Sequence, residues 1–258
     1  MGSWCLCLRV NELTILLVGI LICGAFEMSK RPVRGVLWDL DGTLLDTETL
    51  STEAMQKVIT EIAPSVDGRS WQLKRQILGM RAPEWCELLL NELNLQDKIE
   101  PKDFAKRWEQ NLNSLCPQIV KCEGAEELTA HFANLNIRQV IATSSSSEAV
   151  DQKKKNHTDL FKRMECVVTG DQVSRGKPDP MIFQMAAETL GLEAFSCLAF
   201  EDSLAGVQSA HAAGATVIAV IDKRFTDAER HQFDKYCYSV NTSLLDCRKI
   251  LEDFTFLK

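Results

Sequence analysis

The stretch Val36-Leu37-Trp38-Asp39-Leu40-Asp41-Gly42-Thr43-Leu44-Leu45-Asp46-Thr47-Glu48 decides the fold of this chain. Its first three residues are apolar and predict a buried strand of a parallel sheet. Side chains alternate along a strand, so Asp39 and Asp41 point the same way at its carboxyl end, where open α/β sheets bind their ligands. Two converging carboxylates repel each other unless a hard cation such as Mg²⁺ lies between them. The stretch therefore predicts a metal-assisted site at the edge of an α/β sheet.

A second short apolar strand is predicted over residues 137–142, and it ends at Thr143 followed by four serines. Hydroxyl groups at a strand end can bind a phosphate oxygen together with neighbouring backbone amides. This placement favours Thr143 and Ser144 as phosphate-binding residues. Ser146 and Ser147 are more typical of a flexible linker.

A third apolar strand, starting at Cys197, runs directly into Glu201 and Asp202. Asp202 is placed to bind a metal ion, and Glu201 is either a further ligand or a residue that supports one. Ser203 can cap a following helix, which we expect to end at Gly214.

Lys177 is the candidate cation of the site. A lone lysine is usually a solvated surface charge, but Gly176, Pro178 and Pro180 restrict the backbone around this one. The segment is not a nucleotide-binding P-loop, because Lys177 is followed by proline rather than by serine or threonine.

These segments, in this order, resemble the motifs of the haloacid dehalogenase superfamily of phosphotransferases, from about Val33 to about Arg248. The resemblance implies a Rossmann-like parallel α/β core with an inserted all-helical cap domain. We expect the core to comprise residues 29–46 and 121–258, the cap to comprise residues 47–120, and residues 1–28 to form a hydrophobic extension.

The resemblance also implies a mechanism. Asp39 would attack phosphorus to form an aspartyl-phosphate, and Asp41 would act as the general acid and base. Mg²⁺ would be held by Asp39, the Asp41 carbonyl and Asp202, with Glu201 as an alternative ligand. Lys177, Thr143 and Ser144 would stabilise the transferred phosphoryl group.

The predicted cap carries helical apolar spacing over residues 52–62, 71–78, 83–93 and 101–115. Such a module would exclude water and contact the leaving group of the substrate. In the turn from Gly79 to Pro83, Arg81 could face the site and recognise the substrate. The alternative is that Arg81 forms only a surface salt bridge.

Within the superfamily, several segments resemble the phosphatases of pseudouridine 5′-phosphate, glycerol 3-phosphate, flavin mononucleotide and sugar phosphates. These segments are residues 117–128, 141–145, 154–161, 176–183 and 200–214. The resemblance implies a Mg²⁺-dependent phosphatase of a small phosphorylated metabolite, with pseudouridine 5′-phosphate or a similar nucleotide or sugar phosphate as the expected substrate and glycerol 3-phosphate as an alternative.

Three other activities stay open. A phosphomutase of the same fold would return the phosphoryl group to a reoriented sugar and would require a bisphosphate activator. A dehalogenase would need neither Asp41 nor a divalent metal. A catalytically silent binding protein is disfavoured, because it has no need of Asp39, Asp41, Thr143, Lys177 and Asp202 together.

Composition limits the partners of the chain. With 258 residues and 45% hydrophobic residues, the chain can bury one core and a smaller appended module. A formal net charge of −7 argues against nucleic acid and acidic membrane surfaces as partners. We expect a monomer that binds a small phosphorylated metabolite.

The N-terminal segment is compatible with more than one cellular location for the protein. Leu13 to Phe26 is a largely apolar run of fourteen residues, short for a membrane span and typical of a signal-peptide core. A second methionine, Met28, stands before the basic segment 29–32, so residues 1–28 could also reflect the choice of start site. We expect a cytoplasmic protein, with secretory or organellar targeting, or membrane contact through residues 1–28, as the alternative.

Overall fold

The computed structural model describes residues 30–257. Its strands, in chain order, are β1 (Arg31–Val33), β2 (Gly35–Trp38), β3 (Leu45–Asp46), β4 (Val120–Lys121), β5 (Arg138–Ala142), β6 (Cys166–Val168), β7 (Cys197–Glu201), β8 (Thr216–Val220), β9 (Ser239–Asn241) and β10 (Phe254–Phe256). Its α-helices are α1 (Glu48–Ile62), α2 (Trp71–Ile77), α3 (Ala82–Glu92), α4 (Pro101–Leu115), α5 (Ala125–Asn134), α6 (Ser147–Lys154), α7 (Thr158–Phe161), α8 (Met181–Thr189), α9 (Leu204–Ala213), α10 (Asp227–Arg230) and α11 (Cys247–Ile250).

Six strands form one parallel sheet in the order β6-β5-β2-β7-β8-β9. Strand β2 lies between β5 and β7, and all four of its residues are buried. A strand whose residues are all apolar is stable only where both of its faces are covered, and a central strand of a parallel sheet meets this condition. The predicted α/β fold is confirmed, and the three predicted strands lie side by side at the centre of the sheet.

Two apolar layers cover the sheet. Val36 and Trp38 of β2 point into a cluster with Phe132 of α5 and Val150 of α6. Leu37, between them in sequence, points into the opposite cluster, which contains apolar residues of α8 and α9. The alternation of side chains along β2 therefore determines which face of the sheet each of them covers.

Helix α9 begins and ends as the sequence predicts. The side chain of Ser203 accepts a hydrogen bond from the backbone N–H of Gly206 at 3.1 Å, and this satisfies one of the free donors at the start of the helix. Gly214 follows the last turn with a φ of 97°, a left-handed conformation that glycine adopts without strain.

The helices α1 to α4 bury an apolar cluster of their own. It includes Met55, Ile59, Leu89 and Phe104, together with Trp85, whose ring packs edge-on against that of Phe104. The predicted all-helical insertion is confirmed. Helix α1 starts four residues earlier than the spacing predicts, and its first residue is the acidic Glu48, which is favourable at a helix N-terminus.

Two short strands flank the helical insertion, and the sequence pattern did not reveal them. Strand β3 leads into the insertion, β4 leads out of it, and the two pair antiparallel, with Leu45 opposite Lys121 and Asp46 opposite Val120. A division into core and cap at the predicted boundaries remains our proposal, and the separate apolar cluster of α1 to α4 supports it.

Residues 1–28, for which we predicted a targeting, anchoring or untranslated segment, lie outside the described residues. Within residues 30–257, none of the helices combines the length and the apolar character that a bilayer span requires.

Candidate active site

The candidate site lies at the carboxyl ends of the three central strands. Asp39 follows β2, Thr143 follows β5, and Glu201 ends β7. A cavity of about 550 Å³ opens there, and Asp39, Asp41, Thr143 and Ser144 line it together with residues of the helical insertion. The strand order therefore brings together residues that are more than a hundred positions apart in sequence, at the edge where parallel sheets bind ligands.

Lys177 pairs with two buried carboxylates. Its Nζ atom donates a hydrogen bond to Oδ1 of Asp39 at 2.6 Å and to Oε1 of Glu201 at 2.5 Å. Burial by itself would lower the pKa of Lys177, but the two carboxylates raise it above its usual range. Lys177 is therefore a fixed cation directly beside Asp39, and its role in stabilising the phosphoryl group remains a prediction.

Asp39 keeps one oxygen available. Oδ1 is bonded to Lys177, whereas no hydrogen-bond donor among residues 30–257 reaches the buried Oδ2. Burial raises the pKa of Asp39 to about 7 and Glu201 adds to this rise, although Lys177 opposes it. A buried carboxylate oxygen without a partner is costly, so this atom is suited to bind a cation or an electrophile.

The chemistry of the donors fits a divalent metal ion. Oxygens of Asp39, Glu201 and Asp202 lie within 4.8 Å of one another. When these three carboxylates are ionised, the Lys177 ammonium leaves two of their negative charges uncompensated within this group of described residues. Burial and the neighbouring Asp39 and Glu201 carboxylates raise the pKa of Asp202 well above its usual value. Such a set of hard oxygen ligands favours Mg²⁺.

Two glycines allow the carboxylates to come this close. Gly42 has a φ of 90°, and a Cβ atom at this position would overlap the Asp202 carboxylate. A Cβ atom on Gly206, in the first turn of α9, would overlap the Glu201 carboxylate. The glycine of the opening motif therefore makes room for the Asp202 carboxylate as well as for the turn.

Glu201 uses both of its oxygens within the protein. Oε1 accepts the bond from Lys177, and Oε2 accepts bonds from the backbone N–H of Ser203 at 3.0 Å and from its hydroxyl at 2.9 Å. Of the two roles predicted for Glu201, this arrangement favours support of Lys177 over direct ligation of a metal, and its role as an alternative ligand remains a prediction.

Asp41 contacts a lysine that sequence reasoning missed. Lys153 Nζ donates to Oδ1 of Asp41 at 2.6 Å and to Oδ2 at 2.7 Å, and Ser145 Oγ donates to Oδ2 at 2.7 Å. The run of lysines over residues 153–155 is typical of an exposed helix face, and the sequence alone predicts one here. That prediction is wrong for Lys153, which is buried beside Ala149 and Val150 on the inner face of α6. Its helical spacing from Ala149 and Val150 was the available signal.

The predicted phosphate-binding hydroxyls have protein partners. Thr143 Oγ1 accepts a bond from the N–H of Ser145 at 3.1 Å and lies 3.4 Å from Oδ2 of Asp41. Ser144 Oγ donates to the carbonyl of Gly79 at 2.7 Å. Ser144 thus joins the core to the turn that precedes Arg81, and phosphate binding by Thr143 and Ser144 remains a prediction.

Arg81 also lines the cavity. Its Nε donates to the carboxylate of Glu84 at 2.8 Å, and its Nη1 donates to the carbonyl of Val173 at 3.0 Å. The guanidinium therefore bridges helix α3 and a loop of the core. Both predicted alternatives retain support, since Arg81 forms a salt bridge and also faces the cavity.

Lys74 of helix α2 is a second cavity residue that the sequence analysis missed. It is buried, its Nζ lies 3.2 Å from Oε2 of Glu48, and it donates to the Glu48 carbonyl at 3.2 Å. Both residues line the cavity on the helical side. Nothing in the sequence distinguishes Lys74 from the neighbouring Arg75, because the orientation of the helix decides which of them faces inward.

Residues 36–220 match the family of haloacid dehalogenase-like hydrolases. The chain is 35% identical to the mitochondrial (DL)-glycerol-3-phosphatase 1 of Arabidopsis thaliana, over 85% of this chain and 73% of that protein. It is 31% identical to a probable pseudouridine-5'-phosphatase of Drosophila melanogaster, over 76% of this chain and 85% of that protein.

The crystal structure of β-phosphoglucomutase from Clostridium difficile superposes with a TM-score of 0.72 at 20% identity, over 86% of this chain and 96% of that one. At this identity the likeness shows the fold alone. The chain belongs to the haloacid dehalogenase-like hydrolases, and the predicted enzyme class, a phosphatase of this superfamily, is confirmed.

Proposed function

We propose that this haloacid dehalogenase-like phosphatase is a Mg²⁺-dependent phosphomonoesterase that acts through an aspartyl-phosphate at Asp39. The observation that carries this proposal is the state of the Asp39 carboxylate. One of its oxygens is held by Lys177 at 2.6 Å, and the other is buried beside the cavity without a hydrogen-bond partner in the described part of the chain. A fixed carboxylate with one free oxygen suits nucleophilic attack.

In the first step, Asp39 attacks phosphorus, and the bond from phosphorus to the ester oxygen breaks. Asp41 donates a proton to the departing alkoxide. In the second step, a water molecule attacks the phosphorus of the aspartyl-phosphate while Asp41 takes a proton from that water. The bond from phosphorus to Asp39 then breaks, so inorganic phosphate leaves and Asp39 returns to its initial state.

Asp39, Asp202 and the backbone carbonyl of Asp41 would hold Mg²⁺, with Glu201 as an alternative ligand. A bound Mg²⁺ supplies positive charge that stabilises the transferred phosphoryl group. Lys177 adds a second positive charge, and its pairing with Glu201 keeps its ammonium directed at the reacting centre.

We propose pseudouridine 5′-phosphate, or a similar nucleotide or sugar phosphate, as the substrate. The helical side of the cavity combines apolar walls, including Trp85 and Trp108, with the charged side chains of Lys74 and Glu48. Such a wall suits a small leaving group that has an apolar ring face and polar substituents. Glycerol 3-phosphate is the second candidate, supported by the similarity to the Arabidopsis enzyme.

The test is release of inorganic phosphate by the purified full-length chain. The panel contains pseudouridine 5′-phosphate, glycerol 3-phosphate, flavin mononucleotide and several sugar phosphates, each with Mg²⁺ and with EDTA. We expect Mg²⁺-dependent phosphate release from at least one nucleotide or sugar phosphate. Equal rates with Mg²⁺ and EDTA would contradict the proposed cofactor, and absence of phosphate release from the whole panel would contradict the proposed activity.

A phosphomutase of the same fold is the second activity to be tested, because the fold is shared with β-phosphoglucomutase. Glucose 1-phosphate with and without a sugar bisphosphate separates the two activities. Isomerised sugar phosphate with negligible phosphate release would favour the mutase.

A further inference from the structure

Lys153 is a buried cation that the proposed mechanism does not use. Its side chain is 2% exposed, whereas that of its partner Asp41 is 26% exposed and lines the cavity. The ammonium therefore lies behind the carboxylate, shielded from the cavity. The next residue, Lys154, belongs to the same helix and is exposed.

Three hydrogen bonds saturate the Lys153 ammonium. Two go to the oxygens of Asp41 at 2.6 and 2.7 Å, and the third goes to Oγ of Ser145 at 2.8 Å. Because an ammonium group has three donors, Lys153 has none left for a substrate. Ser145 in turn donates to Oδ2 of Asp41 at 2.7 Å, so the three side chains form a closed triangle.

The triangle fixes the direction of the Asp41 carboxylate. A carboxylate has about four acceptor positions. Oδ2 receives bonds from Lys153 and Ser145, with Thr143 at 3.4 Å, whereas Oδ1 receives one bond, from Lys153. Oδ1 thus retains the capacity for one further partner, while rotation of the carboxylate would break contacts with Lys153, Ser145 and Thr143.

A structural role alone is a poor explanation for this lysine. Burying a charge pair costs free energy, and an apolar pair of similar volume often stabilises a fold as well or better. The ion pair does supply a defined direction for a carboxylate that would otherwise be held only by hydroxyl groups, chiefly at its Oδ2 atom.

We propose that Lys153 is a positioning residue for the acid–base step, a role that rests on the proposed function of Asp41. Lys153 and Ser145 hold the Asp41 carboxylate in the direction from which Oδ1 reaches the ester oxygen of the substrate and, later, the attacking water. Lys153 acts through Asp41 and contacts neither the substrate nor the phosphoryl group.

The test compares two leaving groups in Lys153→Met, which keeps a long unbranched side chain and removes the ammonium. Phosphate release is measured from an alkyl phosphate, glycerol 3-phosphate or the best substrate of the panel, and from p-nitrophenyl phosphate. Acid–base catalysis contributes roughly 10²–10⁴-fold, so we expect kcat for the alkyl phosphate to fall by about 10- to 100-fold. The aryl phosphate needs no protonation of its leaving group and should lose less than about 3-fold.

Two controls accompany this variant. Lys154→Met removes the neighbouring exposed charge from the same helix and should leave both rates unchanged. Lys153→Arg keeps the cation and should restore part of the alkyl phosphate rate. KM should change little in Lys153→Met, because Lys153 does not touch the substrate. An equal loss on both substrates by a folded Lys153→Met protein would overturn the proposal.

A double-mutant cycle gives a second, independent readout. If Lys153 acts through Asp41, adding Lys153→Met to Asp41→Asn should lower kcat no further. A multiplicative loss would overturn the proposal. The double variant also removes both charges of the buried pair, so it keeps the test decisive if Lys153→Met alone fails to fold in thermal melts. Wild-type activity on p-nitrophenyl phosphate with Mg²⁺ tests the proposed function separately, and its absence would remove both proposals.

Discussion

The two sides of the cavity hold their charged groups in different ways. The sheet wall consists of Asp39 with its buried neighbours Lys177 and Glu201, and the helical wall carries Glu48, Lys74, Arg81 and Glu84. On the sheet side, Asp39, Lys177 and Glu201 are almost fully buried, and each is fixed by partners on a different strand or loop. On the helical side, Lys74 pairs with Glu48 of the neighbouring helix, and Arg81 pairs with Glu84 in the same turn and reaches the core at the backbone carbonyls of Val173 and Ser174.

The difference separates chemistry from recognition. The sheet wall needs groups held in one geometry, because the reacting atoms must be aligned. The helical wall can change its residues without disturbing the nucleophile, because its charged groups pair mostly among themselves. We therefore expect substitutions in the sheet wall to change kcat and substitutions in the helical wall to change KM or substrate preference.

The largest effect is expected from Asp39→Asn. The amide is a poor nucleophile and a poor metal ligand, so phosphate release should fall by about 10⁴-fold or more, on the scale seen when a catalytic nucleophile is removed. Steady-state phosphate release measures the loss, and circular dichroism shows whether the fold persists. Activity close to wild type in a folded variant would contradict the assignment of the nucleophile.

Asp41→Asn should produce a selective loss. Alkyl phosphates need a protonated leaving group, so their kcat should fall by roughly 10²–10⁴-fold. Aryl phosphates have a stable leaving group and should lose far less. The ratio of the two rates, measured at saturating substrate, shows whether Asp41 acts in proton transfer. An equal loss on both substrates would show that Asp41 serves the metal or the fold instead of proton transfer.

Arg81→Ala tests the helical wall. We expect KM to rise by about 10-fold, or the ranking of substrates to change, because loss of one charged contact costs on the order of 1–2 kcal/mol. Activity on p-nitrophenyl phosphate should persist, because the nucleophile and Lys177 lie in the sheet wall. Arg69→Ala is the matched control, since Arg69 belongs to the same helical insertion and pairs with the exposed Asp67. An unchanged ranking in Arg81→Ala would remove Arg81 from substrate recognition.

The smallest effect concerns stability without metal. The pKa of Asp39 is raised from 3.8 to about 7 in the fold, so between these values the folded state binds more protons than the unfolded state. The contribution of Asp39 to stability therefore decreases as pH rises through this window. In EDTA, the melting temperature of the wild type should fall relative to that of Asp39→Asn between pH 5 and pH 7.5, and Mg²⁺ should remove the trend. A parallel pH dependence of the two proteins would contradict the raised pKa.

Most of the sheet wall could be predicted from sequence, because strand ends converge at one edge of a parallel sheet. Asp39, Thr143 and Glu201 were found in this way. Lys153 was missed because it sits in a run of three lysines, although its helical spacing from the buried Ala149 and Val150 distinguishes it from Lys154.

The helical wall was less predictable for a related reason. Apolar spacing gave the four helices, but it did not reveal which polar residues turn toward the cavity, as Lys74 does. The hydroxyl of Ser144 illustrates another limit, because its partner, the carbonyl of Gly79, comes from the helical insertion 65 positions away. Contacts between the two walls depend on how the insertion packs, which no local pattern encodes.

The short pairing of β3 and β4 has a mechanical consequence. The chain passes from the core into the helical insertion at β3 and returns at β4. These two connecting segments lie side by side, with Leu45 opposite Lys121 and Asp46 opposite Val120. Sliding one strand past the other would break the hydrogen bonds of this two-stranded ribbon, whereas a rotation of the insertion about the axis of the ribbon leaves them intact. Helix α2 of the insertion also contacts the core, through the Arg75–Glu229 ion pair and through stacking of the Arg224 guanidinium over the Trp71 ring at 4.1 Å. A swing of the insertion about this ribbon therefore has to separate side-chain contacts such as those of α2, whereas the pairing of β3 with β4 can persist.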